Sequence, residues 1–254
     1  MLKKQTILSS FLFAIILLSQ SVEAKTSKDT LRVLFVGNSY IYYNNLPQMV
    51  SLISDSIDTK LICSRSTVGG AHLGEHWNGS RGLKSKQLIQ KGKFDIVVIQ
   101  DNSMWPVDNP DSVYKYAKLL CDLIKSTGAK PYIYETWARL KVPQHQKELN
   151  AVYTKVAKDN NATLVPVGEA WEKARQLRPD LVLFDADGSH PSNIGTFLIA
   201  TMFTKTISGT LPNKFSTQYY YPAFDKEQIR LMQLDELDMI FCKKVVEETV
   251  VAKQ

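Results

Sequence analysis

Cysteine is scarce in this chain: Cys63, Cys121 and Cys242 are the three present in 254 residues. An odd count excludes a disulfide scaffold, allows at most one bridge and leaves three pairings open. No pair of them has zinc-type spacing and all lie in apolar surroundings, so they read as buried, unreactive thiols. No long basic block or basic stripe interleaved with aromatics accompanies the formal charge of +6. With no nucleic-acid motif either, a nucleic-acid partner is not expected. Internal repeats and low-complexity segments are missing too. One long apolar run exists, Ile7 to Leu18, and it is too short to cross a bilayer comfortably.

That run follows Lys3 and Lys4 and precedes Val22-Glu23-Ala24, the order of basic, apolar and cleavage regions in an export signal. Residues 1–24 are therefore expected to be a signal peptide cut near Ala24, with an uncleaved anchor as the alternative. The protein is then exported, periplasmic or secreted. No cysteine sits at the cut for a lipid, so no stable membrane anchor is expected after cleavage. Residues 25–254 are of a size for one α/β domain. Cleavage removes two lysines and one glutamate, so the formal charge falls from +6 to +5. That excess permits acidic substrates such as uronic-acid polymers without demanding them.

Short apolar runs alternate with helix-like segments, which argues for parallel βαβ units. The strand candidates are 31–36, 60–64, 94–100, 131–135 and 162–167, rich in Val, Ile, Leu and Phe as suits a sheet covered on both faces. Helices are expected at 46–56, 80–91, 110–126, 144–160, 168–177 and 192–207. In the third of these, Val113, Tyr116, Ala117, Leu120 and Leu123-Ile124 form one apolar stripe, closed by Gly128. Beyond Gly209 the pattern becomes irregular through Tyr219-Tyr220-Tyr221-Pro222, and a last amphipathic helix is expected over 225–251. This extension, about 210–254, is expected to pack on the domain, with a dimer contact as the alternative.

Two segments some 150 positions apart carry the chemistry. Gly37-Asn38-Ser39 follows the first strand, and Asp187-Gly188-Ser189-His190-Pro191 precedes a helix. A serine hydroxyl is a weak nucleophile and needs a base; His190 can accept its proton, and Asp187 can hold the imidazole. Each residue also has an ordinary alternative: a turn serine, a loop histidine, a helix-capping aspartate. Ser39, Asn102 and Glu135-Thr136-Trp137 all fall at strand ends, where sheets of this kind bind ligands.

Phe35-Val36-Gly37-Asn38-Ser39-Tyr40 resembles the first sequence block of the SGNH, or GDSL-like, hydrolases. The Asp187–Pro191 segment, with Gly195 beyond it, is similar to the last block. Val68-Gly69-Gly70-Ala71 resembles the second, and Gln100-Asp101-Asn102-Ser103 falls at the third, with Gln100 where glycine is usual. The resemblance spans residues 31 to about 208. It implies a three-layer αβα sandwich on a mostly parallel, flavodoxin-like five-stranded sheet. It also implies an oxyanion hole made by the N–H groups of Ser39 and Gly70 and the Asn102 amide, with Gln100 as competitor. Asn38 reads as bracing the turn.

His72-Leu73-Gly74-Glu75-His76 matches a zinc-peptidase pattern, but Gly69, Gly70 and Gly74 crowd the helix that such a site requires, so no metal is expected. His72, His76, Trp105, Trp137 and Arg139 are taken instead as substrate-binding candidates. The tryptophans suit sugar stacking or a core, and Arg139 an anionic group or a surface carboxylate. The expectation is an exported serine esterase that removes a small acyl group, most simply acetyl, from a small-molecule or polysaccharide substrate. It needs no cofactor and acts as a monomer or homodimer. A non-catalytic glycan-binding module and a lipase or thioesterase of the same fold are the alternatives.

Overall fold

The computed structural model describes residues 29–222 and 225–251; the expected signal peptide lies outside them. Five parallel strands form the central sheet: β1 Asp29–Gly37, β2 Thr59–Thr67, β3 Ile96–Ile99, β4 Lys130–Tyr134 and β5 Thr163–Val165. They are ordered β2-β1-β3-β4-β5, with Val36 beside Ile99 and Gly37 beside Thr67. That order is the flavodoxin-like one, whose switch point lies between β1 and β3. Ser39 and Asn102 emerge from those two strands.

Alternation along the strands feeds two cores. Val33, Phe35, Ile96, Val98, Tyr132 and Tyr134 face one side, while Leu34, Val36, Val97, Ile99 and Ile133 face the other. Among the described residues ten α-helices run α1 Ser39–Tyr42, α2 Leu46–Ser54, α3 Leu73–Asn78, α4 Ser85–Lys91, α5 Trp105–Asp108, α6 Pro110–Ser126, α7 Gln146–Asp159, α8 Val167–Leu177, α9 Asn193–Ser208 and α10 Glu236–Val251. Residues of α2, α8, α9 and α10 fill the first core; residues of α3, α4, α6 and α7 fill the second. The result is the three-layer αβα sandwich expected. Of the stripe on α6, Val113, Ala117, Leu120 and Ile124 are buried and Tyr116 and Leu123 half-buried; Asn109 caps its start through Ser112 N, and Gly128 follows with φ +84°.

Two expectations need correction. The helix expected over 225–251 begins only at Glu236. Gln218–Pro222 (β6) and Gln228–Gln233 (β7) instead form an antiparallel hairpin. Met232 and Tyr219 pair across it and enter the core, while Asp235 Oδ1 accepts from Leu237 N at 2.8 Å and so starts α10. Ile229 and Met232, three apart, have helical spacing although they belong to a strand.

The second correction concerns residues 73–78, which are helical despite Gly74. A Cβ at Gly74 would lie 2.9 Å from the Tyr116 ring, so this glycine admits α6 rather than breaking the turn. All three cysteines are free thiols, pushed up to about 12 by burial.

Candidate active site

The end of β1 is built around Gly37. A Cβ there would sit 2.4 Å from Gln100 Oε1 and 2.9 Å from Gln100 O, so no larger residue fits. The chain then turns on buried Asn38. Its Oδ1 accepts from Tyr40 N at 3.1 Å, and its Nδ2 donates to Ala71 O at 2.9 Å and Asp101 O at 3.2 Å. Asn38 thereby caps α1 and ties the first, second and third blocks together. Ser39 is the first residue of that helix, half-buried, with its N–H in the turn where helical amides have no internal acceptor.

His190 approaches from the loop before α9. Asp187 Oδ1 accepts from the backbone N–H of Ser189 and of His190, both at 2.9 Å. Its Oδ2 lies 2.5 Å from His190 Nδ1, and His190 Nε2 lies 2.8 Å from Ser39 Oγ. An ionised carboxylate only accepts, so Nδ1 carries the ring proton and Nε2 is the acceptor for the serine hydroxyl. Partial desolvation pushes the Asp187 carboxyl up, but the hydrogen bonds from the His190 ring and the two amides outweigh it and hold it at about 2. Asp187 is thus ionised wherever the ring is to be held.

Tyr43 and Asp185 were not singled out from the sequence. The Tyr43 ring stacks on the imidazole at 4.3 Å and 18°, and its hydroxyl donates to Asp185 Oδ2 at 2.7 Å. Tyr43 stands four residues after Ser39, so helical spacing was the available signal. Asp185 had none, because its role depends on a contact 142 positions away.

The second and third blocks meet where Asn102 reaches Gly70. Gly70 has φ +69° with open space where a Cβ would be, so its backbone is presented without cover. Asn102 Nδ2 donates to Gly70 O at 3.1 Å, and Asn102 Oδ1 accepts from Met104 N at 3.3 Å. One amide proton of Asn102 remains beside Gly70. Gln100 is fully buried beneath the Gly37 turn, where its Oε1 accepts from Asn38 N at 3.1 Å. It supports the turn and does not reach the cleft. Asp101, also missed, accepts from Asn102 N at 2.7 Å and Leu73 N at 3.3 Å. Burial pushes its carboxyl up to about 7 against the pull of those two amides.

The substrate-binding candidates divide. Half-buried His72 and Trp105 stack on each other at 4.5 Å beside Asn102, and Arg139 is exposed. Two others are corrected. His76 is fully buried: Nε2 donates to Gly37 O at 3.0 Å and Nδ1 accepts from Ser85 Oγ at 2.7 Å. With both nitrogens engaged it stands behind the nucleophile turn, and it does not pair with His72 as a metal ligand. Trp137 is likewise fully buried, stacked between Tyr40 at 4.5 Å and Trp171 at 4.2 Å, with Nε1 donating to Ser189 O at 3.0 Å. It floors the His190 loop and offers no face to a sugar.

No protein-family model matches the chain, and no curated protein matches it. Solved structures do. A protein from Slackia heliotrinireducens described as an SGNH hydrolase is 26% identical, covers 70% of this chain and all of its own, and has a TM-score of 0.59. A DUF4886 family protein from Bacteroides uniformis, 16% identical, covers 89% of this chain and 96% of its own with a TM-score of 0.68. An acetyl xylan esterase, 15% identical, covers 70% of this chain and all of its own with a TM-score of 0.54. At those last two identities the likeness is one of fold. Fold and site together define an ester-cleaving hydrolase of the three-layer αβα class. Within that class, the chain belongs to the SGNH, or GDSL-like, hydrolase superfamily.

Proposed function

We propose that this protein is an exported serine esterase that removes a small acyl group, acetyl foremost, from a carbohydrate. The observation that carries the reading is the continuous chain from Ser39 Oγ through the His190 ring to Asp187. In this mechanism His190 Nε2 takes the Ser39 proton as Oγ attacks the acyl carbon. Asp187 stabilises the imidazolium without itself taking the proton. The oxyanion receives the N–H groups of Ser39 and Gly70 and the remaining amide proton of Asn102. His190 then protonates the departing alcohol, and water repeats the sequence to free the acid and restore Ser39. Donors aimed at developing charge act mainly on turnover, each contributing roughly a hundred- to a thousand-fold.

The carbohydrate assignment draws support from the His72–Trp105 aromatic wall beside Asn102 and from the acetyl xylan esterase among the structural relatives. Export draws support from the basic, apolar and small-residue order of residues 1–24. The test is release of acetate from a panel of acetylated polysaccharides by wild type and Ser39→Ala. Acetate released by wild type alone is the expected result. Equal release by Ser39→Ala would remove the serine mechanism, and no release from any member would remove the carbohydrate assignment.

A further inference from the structure

Arg139 follows β4 and is exposed, yet it is held in place. Its Nε and Nη2 donate to Ser103 Oγ at 3.1 and 2.7 Å, and Ser103 is buried directly after Asn102. Arg139, Ser103 and Ser189 also reach the hydroxyl of Tyr40, the residue after Ser39. The guanidinium is therefore tethered to the Asn102 block through Ser103 and lies near the Tyr40 hydroxyl of the nucleophile turn. Arg81 and Arg178 have carboxylate partners, whereas Arg139 makes no ion pair among the described residues. With the Nε edge taken by Ser103, the fork formed by the two terminal nitrogens is left for an incoming anion.

The side of the cleft follows from the backbone around Arg139. Trp137 Nε1 donates to Ser189 O at 3.0 Å and Leu140 N donates to Gly188 O at 2.8 Å, so the segment is fastened to the His190 loop from both sides. His190 must hand its proton to the leaving alcohol, so the alcohol departs on this side. We infer that Arg139 forms a subsite for a carboxylate on the alcohol portion of the substrate, and that the substrate class is O-acylated uronic acids rather than neutral sugars. This rests on the esterase reading and narrows it. A planar, permanently charged fork next to a serine ester site selects a carboxylate by geometry as well as charge.

The experiment compares 4-acetoxybenzoate with its methyl ester, which differ by one charge on the alcohol side. Taking kcat/KM for the charged over the neutral probe, and dividing the wild-type ratio by that of Arg139→Gln, cancels the probes' intrinsic reactivities. The expected quotient is about tenfold or more. Arg139→Lys should fall between, because a point charge keeps attraction but not the fork. A carboxylate on the acyl side, in mono-4-nitrophenyl succinate against 4-nitrophenyl butyrate, should show no such quotient. A quotient near one for the alcohol-side pair, or a larger one for the acyl-side pair, overturns the subsite while leaving the esterase reading intact. If no probe is hydrolysed the esterase reading fails, and the subsite is judged by titrating 4-hydroxybenzoate into both proteins by NMR. Weaker binding to Arg139→Gln then upholds it, and equal binding overturns it.

Discussion

Tyr43 lies against the face of the ring that Asp187 holds by its edge. An aromatic face stabilises a cationic partner by about 1 kcal/mol, so Tyr43 should stabilise the imidazolium that forms as Ser39 attacks. Tyr43→Leu is expected to reduce turnover several-fold. Tyr43→Phe keeps the stacked ring and should keep most of the turnover, losing only the bond to Asp185. Steady-state kinetics on p-nitrophenyl acetate distinguishes the two; wild-type turnover in Tyr43→Leu would show that the stacking is only structural.

In the third block Asn102 and Gln100 have separate roles. Asn102→Ala should lower kcat roughly 100- to 1,000-fold with far less change in KM, as expected of a donor to developing charge. Gln100→Ala should act mainly through stability, because its side chain packs under Gly37 and Asn38. Steady-state kinetics with parallel denaturation curves checks both. If Gln100→Ala abolishes turnover in a folded protein while Asn102→Ala is nearly silent, the donor has been misassigned.

Among the elements, α3 joins the site to its support. His76 is neutral because burial pushes its ring down to about 4. The unfolded chain takes up a proton near the ordinary imidazole value while the folded protein resists until about 4. His76 therefore contributes stability that is complete above about pH 6.5 and is lost as pH falls toward 4, at about 1.4 kcal/mol per unit. Asp101 works the other way: its raised value gives stability in acid that is lost as pH rises toward about 7. The two oppose one another across the interval between. His76→Gln removes one arm, so on acidification from pH 7 to 4.5 its stability should rise relative to its own neutral value, unlike wild type. Urea denaturation at several pH values checks this, and parallel curves for both proteins would contradict it.

The approach of α9 depends on Gly195, where a Cβ would meet Leu183 O at 2.2 Å and the Trp171 ring at 2.8 Å. Gly195→Ala should cost roughly 1–3 kcal/mol or more despite the better helix propensity of alanine, because a backbone oxygen cannot swing aside. Thermal unfolding reads the loss.

Over the whole molecule, what could be read from sequence was whatever local pattern determines. The five central strands were legible because both faces are buried and their apolar runs are short and punctuated. Ser39, His190 and Asp187 were legible because each sits at an element boundary with its neighbours in register. Gly74 and the β6–β7 hairpin were misread because their logic is tertiary: a tyrosine from α6 in one case, pairing across a turn in the other. His76 and Trp137 have the right residue types for a cleft, and only burial shows that they hold it from behind. Asp101 and Asp185 act through contacts that sequence spacing does not announce. The three cysteines are dispersed through the molecule and free. A thiol reagent should therefore find none rapidly in the native protein and all three after unfolding in denaturant without reductant; one rapid thiol on unfolding would reveal a disulfide instead.

The proposed mechanism requires Ser39 to be the nucleophile and His190 to activate it. Fluorophosphonate labelling followed by peptide mass spectrometry measures that directly. One adduct is predicted, on the peptide containing Ser39, absent in Ser39→Ala, strongly slowed in His190→Ala and unaffected by a chelator. An adduct on another residue, or labelling of wild type that Ser39→Ala leaves unchanged, would contradict it.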